Sequence, residues 1–190
     1  KTVGGPCKAG VMGNFDFLSP GLPGSVPDPF GLPGDDTGDE IELWARTTSA
    51  APGSAETLAA LGLPAGSTIV IPRIAYPTYA VGAVIAGCQY VATDEPETVE
   101  RAALVWLNSP GNPTGSVLSA ERAAQIVAWA RRAGAVVVSD ECYIELGWDA
   151  EPISVLHPSV CGESHAGVLA LHSLSKSLHL PRPRIGFVAG

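Results

Sequence analysis

Hydrophobic and polar positions change pattern near residue 53. Beyond it, short unbroken apolar runs alternate with segments of helical period. Thr68-Ile69-Val70-Ile71, closed by Pro72, is a continuous apolar run of the kind a fully buried strand shows. Gln89–Ala92, Ala102–Leu107, Ala135–Ser139, Gly167–Leu171 and residues 184–189 read as further strands, Ala135–Ser139 the clearest buried one. Between them lie helical segments at about 55–62 and at 78–87, the second ended by Gly87. A third is capped by Ser119, with Ala123, Ile126, Val127 and Ala130 at i, i+3, i+4 and i+7 on one apolar face. Arg131 and Arg132 suit its C-terminal end, and Gly134 stops it. Strands alternating with helices predict β-α-β units, hence an α/β fold with a mostly parallel sheet flanked by helices.

Residues 1–52 lack this regularity. Residues 1–36 carry 8 Gly and 6 Pro, and Gly-Leu-Pro-Gly occurs twice. Both residue types punctuate structure, so the stretch reads as loops or an extended arm. Asp35, Asp36, Asp39, Glu40 and Glu42 make 35–42 acidic, and Ile41–Ala45 reads as a short strand or a turn of helix. Two domains follow from the pattern: a Gly/Pro-rich arm over 1–52 and a folded domain over 53–190.

Composition narrows the function. The net charge of −8 leaves nothing to displace counterions from a nucleic-acid backbone, which argues against nonspecific binding to one. No apolar run approaches the roughly 20 residues of a membrane helix. Cys7, Cys88, Cys142 and Cys161 form no C-x-x-C pair and read neither as a disulfide framework nor as a zinc site. No signal-peptide succession opens the chain, and a reducing cytoplasm is the expectation. The four histidines lack the spacing of a helical metal site.

Ligands of such sheets gather beyond the carboxyl ends of strands. That rule gives weight to the residues from Asn108, Asp140 and Ser173 onward. Lys176 is one of only three lysines and sits between Ser175 and Ser177, with Ser173 before it and Arg184 eight residues after. A lysine amine can join a carbonyl as a Schiff base, and a serine with a forked guanidinium can hold a phosphate dianion beside it. Asp140 can pair with a pyridine nitrogen and keep it protonated. Tyr143 and the amide of Asn112 can bond a phenolic oxygen, and Tyr76 can stack on a flat ring. Gly53-Ser54-Ala55, at a helix start, can offer backbone N–H groups to the phosphate. The plain alternatives are a capping carboxylate, a turn asparagine, a core tyrosine and a surface lysine. Together the residues point to pyridoxal 5'-phosphate. Trp106, Trp129 and Trp148 read as packing residues.

Five segments in order resemble the class I/II aminotransferases of fold type I. They are Tyr76-Pro77-x-Tyr79, Asn108-Ser109-Pro110-Gly111-Asn112-Pro113-Thr114-Gly115, Ser139-Asp140-Glu141-Cys142-Tyr143, Ser173-Leu174-Ser175-Lys176 and Arg184-x-Gly186-Phe187. The stretches Tyr143–Cys161 and Pro72–Tyr79 are similar to actinobacterial succinyldiaminopimelate transaminases. The resemblance implies that 53–190 is the large cofactor-binding domain of that fold, truncated before its small C-terminal domain. It implies Lys176 as cofactor anchor and proton carrier, and Asp140 on the ring nitrogen. Asn112 and Tyr143 would hold the phenolic oxygen, with Tyr76 on the ring. Ser173, Arg184 and the Gly53–Ala55 turn would grip the phosphate. A homodimer is implied as well, with small amino-acid and 2-oxo-acid substrates. The expected reaction is transamination between N-succinyl-LL-2,6-diaminopimelate and 2-oxoglutarate in lysine biosynthesis. The alternatives are a non-catalytic remnant serving as a binding module, and a lyase or synthase on the same fold.

Overall fold

The computed structural model describes residues 16–17, 44–46, 54–173, 176 and 186–190, with residues 16–17, 44–46 and 54–56 given by their backbone. Eight strands form one sheet among them: β1 (Asp16–Phe17), β2 (Trp44–Arg46), β3 (Thr68–Ile71), β4 (Gln89–Ala92), β5 (Ala102–Asn108), β6 (Val136–Asp140), β7 (Val168–Ser173) and β8 (Gly186–Ala189). Their order is β1-β2-β8-β7-β6-β5-β3-β4. The five strands from β7 to β4 pair in parallel. β8, β2 and β1 continue the sheet antiparallel.

Side-chain alternation along the strands divides the core. On β5, Leu104 and Trp106 face one side and Val105 and Leu107 the other, all buried. Helix α3 (Ala120–Ala133) covers the second side with Ala123, Ile126, Val127 and Ala130, as its period predicts. Burying Ile126 and Val127 there stabilises the fold by roughly 1.5–3 kcal/mol each. Ser119 accepts the Arg122 N–H at 3.1 Å, and Gly134 ends the helix at φ 74°, a left-handed position that favours glycine. Arg131 donates to the Cys161 carbonyl at 2.8 Å and so ties α3 to the short α4 (Pro158–Cys161). Helices α1 (Ser54–Ala60) and α2 (Thr78–Ile85) cover the other side through Leu58, Tyr79 and Ala83.

The elements expected after residue 53 are present, β3 and β4 with the expected bounds and the others with ends moved by at most two residues. Helix α4 carries no period long enough to announce it. Trp106 is buried and Trp129 packs against the core. Trp148 does not pack: it is 92% exposed on the loop after β6, a correction to its reading as a packing residue. No helix among the described residues is long and apolar enough to cross a membrane.

Candidate active site

The register brings the chemistry together. Asn108, the last residue of β5, lies opposite Asp140, the last of β6, and Asp140 lies opposite Leu171 of β7. Three parallel strands therefore deliver their carboxyl ends to one line, where such sheets bind ligands.

Asn108 organises the loop that follows it. Its amide nitrogen donates to the Asp140 carbonyl (3.0 Å) and to the Pro110 carbonyl (3.3 Å), and its amide oxygen accepts the Asn112 N–H (2.7 Å). The loop closes on itself through Gly111 N–H to the Ser116 carbonyl at 2.9 Å. A Cβ on Gly111 would stand 2.8 Å from Thr114 Oγ1 and 3.3 Å from the Asn108 carbonyl, so any larger residue would have to push Thr114 aside. Asn112 is thus placed by hydrogen bonds and tight packing.

Asp140 is held from two directions. Its Oδ2 accepts the Tyr79 hydroxyl at 2.6 Å, and its Oδ1 accepts the Cys142 N–H at 3.2 Å. Tyr79 is 3% exposed, and its ring stacks on Trp106 with centroids 4.8 Å apart and planes at 23°. Burial, then the charge and hydrogen bond of Asp140, push the Tyr79 phenol far up, so it stays a donor. The Cys142 thiol sits among Asp140, Ser173 and Lys176. Burial first and Asp140 second push it well up, against the opposing pull of Lys176 and Ser173.

A cleft of about 690 Å³ opens beside these strand ends, lined by Gly111, Asn112, Pro113, Tyr143, Trp148 and Asp149 among others. Asn112 and Tyr143, both expected on one oxygen, share its wall. Lys176 Nζ stands 5.6 Å from the centroid of the Tyr143 ring, within cation–π range, on helical backbone and exposed. Ser173 ends β7, buried, against Cys142. Ser54 and Ala55 form the first turn of α1. Tyr76 is half-exposed just ahead of α2, and it is Tyr79 that reaches Asp140. Gly53 and Arg184 lie outside the described residues.

Four residues of the site carried no role on sequence grounds. Tyr79 and Asn108 stood inside the resembling segments, and their polar tips on otherwise apolar faces were the available signal. Glu141 is 1% exposed; its Oε1 accepts the Val155 N–H at 2.7 Å, and its Oε2 lies 3.3 Å from His172 Nε2. His172 stacks on Phe187, its neighbour across β7 and β8, with centroids 4.7 Å apart. Glu141 thus ties the loop after β6 to Val155, with its second oxygen facing the strand that leads to Lys176. Glu141 also stood inside a resembling segment, but nothing local in the sequence announces its partners.

Comparison with known proteins settles the family. A family model, aminotransferase class I and II, matches residues 46–190. The chain belongs to the class I and II aminotransferases. That family uses pyridoxal 5'-phosphate. A probable aminotransferase of Mycobacterium tuberculosis is 54% identical over 132 residues, which are 68% of this chain and 32% of that protein. The 4-dedimethylamino-4-oxo-anhydrotetracycline transaminase OxyQ of Streptomyces rimosus is 51% identical over 134 residues, 70% of this chain and 37% of that one. The chain spans about a third of the length of these relatives. Among solved structures, a probable N-succinyldiaminopimelate aminotransferase of Thermus thermophilus is 27% identical with TM-score 0.66, covering 80% of this chain and 43% of that one. The N-succinyldiaminopimelate aminotransferase of Mycobacterium tuberculosis is likewise 27% identical, with TM-score 0.65 over 80% and 42%.

Proposed function

We propose that this chain is the cofactor-binding part of a pyridoxal-phosphate aminotransferase acting on an amino acid and a 2-oxo acid. The observation that carries the reading is the cleft in which Asn112 and Tyr143 share a wall, with Lys176 Nζ beside the Tyr143 ring. The donor set fits the cofactor. It combines a carboxylate for the ring nitrogen, an amide and a phenol for the phenolic oxygen, an amine for the carbonyl and a serine for the phosphate. When bound, the cofactor supplies an electron sink for the substrate α-carbon.

The protein's own residues do the rest. Asp140 holds the proton on the ring nitrogen. Asn112 and Tyr143 donate to the phenolic oxygen, and Tyr76 covers the ring. Lys176 Nζ would hold the cofactor's carbonyl carbon and would take and return the proton at the substrate α-carbon. Ser173, Arg184 and the Gly53–Ala55 turn take the phosphate. A homodimer belongs to the same reading, and sedimentation velocity tests it.

N-succinyl-LL-2,6-diaminopimelate is the first substrate to assay, because two structures with TM-scores of 0.65 and 0.66 are named for it. A second substrate reading rests on the 51% identity to OxyQ and on the open cleft edged by the exposed Trp148. It predicts amination of a bulky polycyclic ketone. Coupled assays, with N-succinyl-LL-2,6-diaminopimelate as amino donor and with the polycyclic ketone as acceptor, separate the two. Added cofactor should give an absorbance band in wild-type protein that Lys176→Ala loses. Wild-type protein without that band would refute the reading.

A further inference from the structure

We propose that Tyr79 is a positioning residue that aims the Asp140 carboxylate at the cofactor's ring nitrogen. The inference rests on the role given to Asp140 above and adds what holds that side chain in place.

A carboxylate ends in a broad, nearly two-fold torsion, so its aim depends on what its oxygens touch. It offers about four lone-pair directions. In Asp140 one direction on Oδ2 is taken by the Tyr79 hydroxyl at 2.6 Å, and one on Oδ1 by the Cys142 N–H at 3.2 Å. The shorter bond is the stronger restraint. The carbonyl of the same residue is fixed by Asn108 at 3.0 Å, which leaves the side-chain torsion as the remaining freedom.

Tyr79 is built to supply that restraint. It lies on α2, 3% exposed, stacked on Trp106. Trp106 stands on β5 opposite Val138 of β6, two residues before Asp140, so the stack rests on the strand pair that ends at the site. A buried phenol keeps its proton and donates in one direction only. Its partner Tyr76, three residues earlier, is half-exposed and free to meet a ligand face. The segment Tyr76-Pro77-Thr78-Tyr79 thus divides two tasks between two tyrosines: one toward the ring, one behind the carboxylate.

The test is a binding comparison with two ligands: pyridoxal phosphate, and its deaza analogue in which C–H replaces the ring nitrogen. Tyr79→Phe keeps the ring and its stack and removes only the hydroxyl. Wild-type protein should prefer pyridoxal phosphate over the deaza analogue. Tyr79→Phe should bind pyridoxal phosphate about tenfold more weakly and the deaza analogue as wild type does, the loss of one charge-assisted hydrogen bond. In a cycle with Asp140→Asn, the second substitution should make the first silent. Should Tyr79→Phe fail to fold, fluorotyrosine at position 79 keeps the shape and alters the donor. It should change affinity for pyridoxal phosphate alone. Equal weakening of both ligands, or no change in either, would overturn the positioning role while leaving the cofactor reading intact. Wild-type protein that binds both ligands equally would overturn the role of Asp140 and this inference with it. Wild-type protein that binds neither would overturn the cofactor reading itself.

Discussion

Replacing Glu141 with alanine removes a carboxylate that is 1% exposed, accepts the Val155 N–H and stands beside His172. The Val155 N–H loses the acceptor it now has at 2.7 Å, and a buried unpaired donor costs about 1–3 kcal/mol. The γ-methylene of the side chain leaves the interior, at about 0.8 kcal/mol. His172 Nε2, 3.3 Å from Oε2, loses its acidic neighbour. The sum is about 2–4 kcal/mol. For a chain of this size that lowers the thermal midpoint by roughly 4–16 °C. Glu141→Gln keeps an oxygen for Val155 and the volume, and should cost only about 1 kcal/mol. Thermal unfolding followed by circular dichroism measures both. An alanine variant melting within a degree or two of wild type would refute the reasoning. So would alanine and glutamine variants that melt together, since the argument turns on the Val155 hydrogen bond and the filled space.

Ser119→Ala removes the cap of α3 and should cost about 1 kcal/mol in urea unfolding; an unchanged midpoint would show that the cap contributes nothing. The Arg122 guanidinium beside Glu97 holds that carboxyl below its usual range. A depressed carboxyl contributes stability above the unfolded-state value near 4.5 and loses it as pH falls through the folded value. The pair is partly exposed, so Glu97→Gln should cost about 0.2–1 kcal/mol at pH 7, with the difference vanishing in acid; a difference that persists there would contradict the pairing. Burial and Asp140 push the Cys142 thiol up, so alkylation at pH 8 followed by peptide mass mapping should be much slower in folded than in urea-unfolded protein. Equal rates would show that this thiol is not held among Asp140, Ser173 and Lys176.

Local pattern alone determined the elements. Strand β5, helix α3 with Ser119 and Gly134 at its ends, and the run before Asp140 are legible because alternation, period and capping act over a few residues. The strand-end rule then singled out Asn112, Asp140 and Ser173. What the tertiary structure decided spans longer distances. Tyr79 meets Asp140 across 61 positions and Glu141 meets Val155 across 14. β8, β2 and β1 extend the five parallel strands with antiparallel pairings. Trp148 stands in the open although its residue type favours burial. Such pairings depend on which elements the folded sheet sets side by side. A hydrogen-bond donor carries no mark in the sequence of the acceptor it will meet, so those contacts are decided only when strand order and register bring both ends to one place.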